Sequence, residues 1–118
     1  MAGPRRSRAS LEAALAAAPD AGARAQACYE LALFHDNNSR EAEAIPLYRQ
    51  AIALGLPTAR RAEALAWLAS SLVKTGSPDE ARQRAMEARE LTSDAALRLF
   101  LEGLQRRIAH RAAAGRDG

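Results

Sequence analysis

One pattern of residues occurs twice in this chain at a fixed offset. Leu31, Ala32, Ser39, Ala44, Tyr48 and Ala51 are matched 37 positions later by Leu68, Ala69, Gly76, Ala81, Ala85 and Ala88. The internal spacings are the same, with no insertion between the copies. A period of about 30–40 residues marks stacked helical hairpins, in which each unit buries its apolar face against its neighbours. A chain of this kind is an array of like units, and the question of function moves from what it catalyses to what it holds.

The residue types agree with helices. Hydrophobic residues make up 48% of the chain although aromatics are only 4%, and alanine, about a quarter of all residues, makes up the difference. Alanine favours helix and lets two helices approach closely. Valine and isoleucine, which favour strands, are scarce. The expectation is an all-α fold. At 118 residues the chain is long enough for one domain with a modest core.

Six helices follow from the spacing of apolar residues and the stop signals between them. The first is expected at about 10–18, capped by Ser10, with Leu11, Ala14, Leu15 and Ala18 in one stripe. Pro19-Asp20 ends it and caps a second at about 21–36, with Cys28, Leu31, Ala32 and His35 inward. After Asp36-Asn37-Asn38, Ser39 is expected to cap a third helix at about 40–54, through Pro46. Gly55-Leu56-Pro57 is a stop, and Thr58 is expected to cap a fourth helix at about 59–74. Ser77-Pro78-Asp79-Glu80 is the strongest local start signal, opening a fifth helix at about 78–91. A last helix is expected after Thr92-Ser93 and up to about 110, with Leu97, Phe100, Leu101, Leu104 and Ile108 on one face. Its other face carries Arg98, Glu102, Gln105, Arg106 and Arg107, as suits the outside of a capping helix.

The net charge of +3 is unevenly placed. Residues 9–104 hold ten Lys or Arg and thirteen Asp or Glu, so the body is slightly acidic. The basic excess lies in the ends, at Arg5, Arg6 and Arg8 and at Arg106, Arg107, Arg111 and Arg116. Only those ends would attract phosphates. No aromatic residue is interleaved with them and no helix-turn-helix signature stands out, so nucleic acid is not the expected partner. Cys28 is the single cysteine, which excludes an internal disulfide and a thiolate metal cage. No apolar run reaches the roughly 18–20 residues of a membrane span. Glu12 interrupts the apolar stretch that follows the first arginines, so that stretch reads as a helix rather than an export signal, and the cytoplasm is the default location.

The repeated segments resemble a known family. Cys28-x-x-Leu31-Ala32-x-x-His35 with Ser39, Ala44, Tyr48 and Ala51 is similar to the tetratricopeptide repeat. Leu65-x-x-Leu68-Ala69-x-x-Leu72 with Gly76, Ala81, Ala85 and Ala88 is similar too, and the run from Arg40 to Tyr48 resembles the repeat's second helix. The bacterial group 5 branch is nearest, because the Gly55-Leu56-Pro57-Thr58 linker suits it. The clear match covers residues 23–91. The resemblance implies antiparallel hairpins stacked as a short right-handed superhelix with a C-terminal capping helix. The expected organisation is a basic disordered tail at 1–8, a helical domain at 9–110 with repeats at about 23–56 and 60–93, and a disordered tail at 111–118. The chain departs from the family at Cys28 and Leu65, where a large aromatic is usual, and at Ala32 and Ala69, where glycine is usual.

In that family the first helix of each hairpin lines a concave, peptide-holding groove. Carried over, the groove residues here are Gln26, Tyr29, Glu30 and Leu33, then Glu63, Ala66, Trp67 and Ser70. One subfamily grips carboxylates with Lys and Asn at such places; this chain has Tyr29, Leu33 and Trp67 there, so that clamp is absent. What remains is an apolar and aromatic strip beside Glu30 and Glu63, suited to an apolar, basic segment. Two other readings compete for these residues: the chain's own terminal helices cover them, or a second copy does.

Catalytic groups are thin. His35 and His110 are far apart, His35 takes a packing position, and Cys28 reads as a small core residue. Glu41, Glu43, Asp79 and Glu80 sit in first helical turns, where acids are favourable. His35-Asp36-Asn37-Asn38 lacks metal-ligand spacing, and there is no glycine-rich phosphate loop. The expectation is a protein-interaction scaffold that is not an enzyme and needs no cofactor or metal. The rivals are a self-assembling homodimer and a nucleic-acid-associated protein acting through its arginine-rich tails.

Overall fold

A computed structural model describes residues 7–117. It contains six helices: α1 (Arg8–Ala16), α2 (Ala21–Asn37), α3 (Glu41–Leu54), α4 (Thr58–Lys74), α5 (Pro78–Leu91) and α6 (Ala95–Asp117). No strand occurs among the described residues. α2 and α3 form one hairpin and α4 and α5 the next, with α3 packed on α4 to join them. α1 covers α2 at one end, and α6 covers α5 and part of α4 at the other. The fold is thus an all-α stack of helical hairpins.

The repeat in the sequence is also a repeat in the hydrogen bonds. At the end of α2, the Ser39 N–H donates to the Asp36 carbonyl at 3.0 Å and the Arg40 N–H to the His35 carbonyl at 2.8 Å. At the end of α4, Gly76 donates to Val73 at 3.2 Å and Ser77 to Leu72 at 2.8 Å. Each bond maps onto its counterpart by the same 37-residue offset. Ser39 and Gly76 make these turns in the left-handed region, at φ 59 and φ 89. That conformation ties off the last carbonyls of a helix and normally selects glycine.

Small residues set the spacing between helices. Ala32, Ala44 and Ala51 of the first hairpin and Ala69, Ala81, Ala85 and Ala88 of the second are all fully buried. A single methyl at each crossing brings the two backbones together. Larger side chains fill the layers between crossings: Tyr48, Leu65, Leu68, Leu101, Leu104 and Ile108 are the largest fully buried ones.

Several helix starts differ from the sequence expectation. α1 is capped by Ser7 rather than Ser10: the Ser7 hydroxyl accepts the Ser10 N–H at 3.1 Å, and an Arg8–Glu12 pair at 2.7 Å bridges the first turn. Asp20 caps α2 as expected, accepting the Ala23 N–H at 2.8 Å. Ser39 does not cap α3, because it is spent in the turn that closes α2; Arg40 precedes α3 with no side-chain cap. Thr58 is the first residue of α4, not its cap, and Pro57 holds the position before it. Ser77 stands before Pro78 at the start of α5, but its hydroxyl makes no capping bond. Asp94 caps α6 by accepting the Leu97 N–H at 2.8 Å. α3 continues unbroken through Pro46.

The ends also differ. Of the basic N-terminal tail, Arg8 opens α1 and Ser7 caps it, and residues 1–6 lie outside the described residues. At the other end α6 continues past 110 to Asp117, where a disordered tail was expected, and Gly118 lies outside the described residues. Ala112 prolongs the inward stripe of Leu104 and Ile108 at the next i+4 step and is half-buried. Arg111 donates to the Val73 carbonyl at 3.0 Å. The same carbonyl also accepts the Gly76 N–H, so the Arg111 cation is its second donor and meets the negative end of the α4 dipole.

Candidate functional site

The eight sequence-derived groove residues fall in two equivalent sets. Gln26, Tyr29, Glu30 and Leu33 on α2 correspond at the repeat offset to Glu63, Ala66, Trp67 and Ser70 on α4. Spacings of three and four place each set on one helix face. α2 and α4 present these faces side by side, and a chain of hydrogen bonds crosses between them. The Trp67 indole N–H donates to the Tyr29 hydroxyl at 3.2 Å, and that hydroxyl donates to Glu63 Oε2 at 2.9 Å. Arg60 donates to the same oxygen at 2.9 Å, and its guanidinium lies 5.3 Å over the Tyr29 ring.

Depth separates the members of the set. Tyr29 and Ala66 are buried, whereas Gln26, Glu30, Leu33, Glu63, Trp67 and Ser70 are half-buried. Burial, reinforced by the bond to Glu63, pushes the Tyr29 phenol up to about 12, so it stays a proton donor near neutral pH. Behind it, at 6.2 Å, lies Tyr48, whose hydroxyl donates to Asp36 at 2.9 Å. The indole of Trp67 is therefore fixed on one edge by Tyr29. Its other support comes from α6, where Phe100 packs edge-on at 4.9 Å.

The spacing argument missed Phe100 and Asp36 as members of this site. Phe100 was legible only as part of the inward stripe of α6; it lies at the edge of that stripe and reaches Trp67. Two cavities open beside the indole. One, of about 370 Å³, is lined by Tyr29, Leu33, Asp36, Asn37, Glu63 and Trp67. The other, of about 620 Å³, lies between α4 and the start of α6 and shares Glu63 and Trp67 with the first. The terminal helix α6 thus supports Trp67 on one side without closing the face.

Groups with reactive potential lie elsewhere or are sealed. Cys28 is fully buried, and burial pushes its thiol up, away from the reactive thiolate. His35 is buried with Nδ1 3.2 Å from Glu43 but outside hydrogen-bonding geometry, and burial holds its protonation below the usual histidine range. No group of three or more His, Cys, Asp or Glu is placed to hold a metal among the described residues. No helix among them is long and apolar enough to cross a membrane. Of the basic ends, Arg8 is engaged with Glu12 and Arg111 with Val73, whereas Arg106 and Arg107 are exposed.

Paired hairpins with alanine crossings, one helix of each contributing to a shared face, define a short helical repeat array. A family model described as tetratrico peptide repeat (TPR_5) matches residues 25–110, most of the chain and both hairpins with α6. The chain belongs to the tetratricopeptide repeat family. Repeats of this family generally mediate protein–protein interaction and are typically non-catalytic. No curated protein matches the chain.

Proposed function

We propose that this chain is a non-catalytic scaffold that docks a peptide or helix of a protein partner on the shared face of α2 and α4. Leu33, Glu63, Trp67 and Ser70 make the contact surface, with Gln26 and Glu30 at its edge and Tyr29 and Ala66 as its floor. The observation that carries the reading is the Trp67–Tyr29–Glu63 chain of hydrogen bonds. It holds a half-buried indole in one pose beside open cavities. Aromatic side chains in such settings dominate interface energetics. An indole already immobilised by its neighbours loses little further freedom on binding, so more of the contact energy is left as affinity.

The test uses the full chain as bait with three variants. Leu33→Glu and Ser70→Arg alter the proposed surface at half-buried positions that make no side-chain hydrogen bond described above. Arg82→Glu alters an exposed position on α5. A partner captured by the wild type and Arg82→Glu, and lost with both surface variants at unchanged helicity, supports the reading. Capture unaffected by either surface variant overturns it. A concentration-dependent dimer that shifts the Trp67 emission, with no other partner, would put a second copy in place of the partner.

A further inference from the structure

The cavity pair beside Trp67 is part of a longer track, and its charge changes sign along the way. A cavity of about 960 Å³ between α1 and α2 shares Leu33 and Asn37 with the 370 Å³ cavity. That one shares Glu63 and Trp67 with the 620 Å³ cavity. The 620 Å³ cavity shares Phe100 with a fourth, of about 500 Å³, along the exposed side of α6. The first three are lined by Glu30, Asp36, Glu63 and Asp94 and by no Lys or Arg. The fourth is lined by Arg106, Arg107, His110 and Arg111 and by no acid.

From this we infer that the partner is a charge-polarised protein segment, basic over α2 and α4, apolar over Trp67 and Phe100, and acidic over α6. The inference rests on the docking reading above and specifies its occupant. The acids are held by single hydrogen bonds that leave acceptor sites open: Asp36 by the Tyr48 hydroxyl and Asp94 by a backbone N–H. Neither forms an ion pair among the described residues. Glu63 is partly neutralised by Arg60, so Asp36 and Asp94 dominate that end. At the other end, Arg106 and Arg107 are exposed and pair with no carboxylate among the described residues.

Two features support a contact role for the α6 end. Leu99, at 67% exposure, is the most exposed large apolar side chain described, and it lines the same cavity as the arginines. Gly103 sits mid-helix beside it. Glycine weakens a helix there by roughly 0.5–1 kcal/mol relative to alanine. Packing does not demand it, since an added Cβ would meet only the Arg106 guanidinium at 3.7 Å. The missing side chain leaves the cavity floor open. A nucleic acid fits α6 alone: its phosphates would meet Glu63, Asp36 and Asp94 along the rest of the track. A segment with both signs of charge is steered and oriented by the whole face.

Trp67 is the only tryptophan, so its fluorescence reports this site alone. The probes are synthetic peptides with a shared Ala-Leu-Leu-Ala-Leu middle. They are flanked by lysines at one end and glutamates at the other (in both orders), by lysines at both ends, or by glutamates at both ends. One mixed peptide should bind about tenfold tighter than either uniform one in low salt and lose that margin in high salt. Asp36→Asn/Glu63→Gln should weaken the mixed and all-lysine peptides, and Arg106→Glu/Arg107→Glu should weaken the mixed and all-glutamate peptides. Equal binding of all peptides, or variants that do not discriminate between them, overturns the polarity and leaves docking standing. No Trp67 response to any peptide overturns docking on this face, and the polarity with it. An oligothymidylate that binds tighter than every peptide also overturns the inference.

Discussion

Equivalent positions of the two hairpins hold Tyr48 and Ala85, His35 and Leu72, Ser39 and Gly76. The backbone turns that close α2 and α4 make matching hydrogen bonds, yet the first hairpin carries polar or strained groups where the second carries apolar or relaxed ones. Tyr48 is fully buried and spends its hydroxyl on Asp36; Ala85 is fully buried and has nothing to satisfy. One plan therefore tolerates a large residue or a methyl at the same repeat position. The difference is made up by the neighbours: Tyr48 fills the layer behind Tyr29, which in turn fixes Trp67. Both hairpins contribute to the shared face, and the polar side chains of the first hold Trp67 of the second in place.

The largest expected effect breaks that comparison outright. Tyr48→Ala puts the residue of the second hairpin into the first. Interchangeable hairpins would tolerate it. Because Tyr48 fills a layer and holds Asp36, truncation should cost about 3–5 kcal/mol, as for other large core aromatics, in urea denaturation. It should also shift Trp67 emission, since Tyr29 loses its backing. A cost below about 1 kcal/mol would mean that the layer closes up without Tyr48.

Ala44→Leu and Ala81→Leu probe what the hairpins share. Both alanines are fully buried at helix crossings. Overpacking there should cost about 1–3 kcal/mol or more in each hairpin, with a sharp fall in Tm. Unchanged melting for both would break the hairpin pairing itself. Unequal losses would show which crossing is the looser.

How far these features were legible in the sequence follows from what sets them. The repeat offset, the alanine crossings and the α5 boundaries at Pro78 and Leu91 depend on local spacing and stop signals, and all are found as read. Ser39 shows the limit. A serine before a helix reads as a cap, but the same residue was needed to close the preceding helix, and only the geometry of the turn decides between the two. α6 outran its expected end because the Arg111–Val73 contact is made between helices remote in sequence. At the site, spacing identified the shared face of α2 and α4. It could not give the depth of Tyr29 and Ala66, which depends on how the hairpins pack, or the approach of Phe100 to Trp67, which depends on how α6 lies against α4.

His35 and Leu72 give a pH-dependent version of the same comparison. Burial disfavours the His35 imidazolium more than nearby Glu43 favours it, so native His35 takes up its proton below the ordinary value of 6.5. The unfolded chain takes up a proton at that ordinary value. Below it the unfolded state binds more protons, and stability falls as pH drops from 6.5 toward the native value, by at most about 1.4 kcal/mol per pH unit. His35→Leu, the second hairpin's solution, should flatten that part of the stability–pH curve while carboxylate titration below it persists. An unchanged curve between pH 6.5 and 5.5 would show that His35 titrates alike in both states.

The smallest effect is the most direct exchange. Ser39 and Gly76 make the same left-handed turn, at φ 59 and φ 89, and only glycine does so without cost from a side chain. Ser39→Gly should relieve that cost, offset in part by the greater freedom glycine has in the unfolded chain, for a net gain of about 0.5–1 kcal/mol. Gly76→Ser should lose a similar amount. No atom lies within 4 Å of a Cβ added at Gly76, so the loss measures backbone strain rather than a clash. Opposite signs in thermal melts would show that the two turns are one structure carrying two residues. If Ser39→Gly destabilises instead, the Ser39 side chain contributes to the turn, and the two hairpins close by different means despite their matching hydrogen bonds.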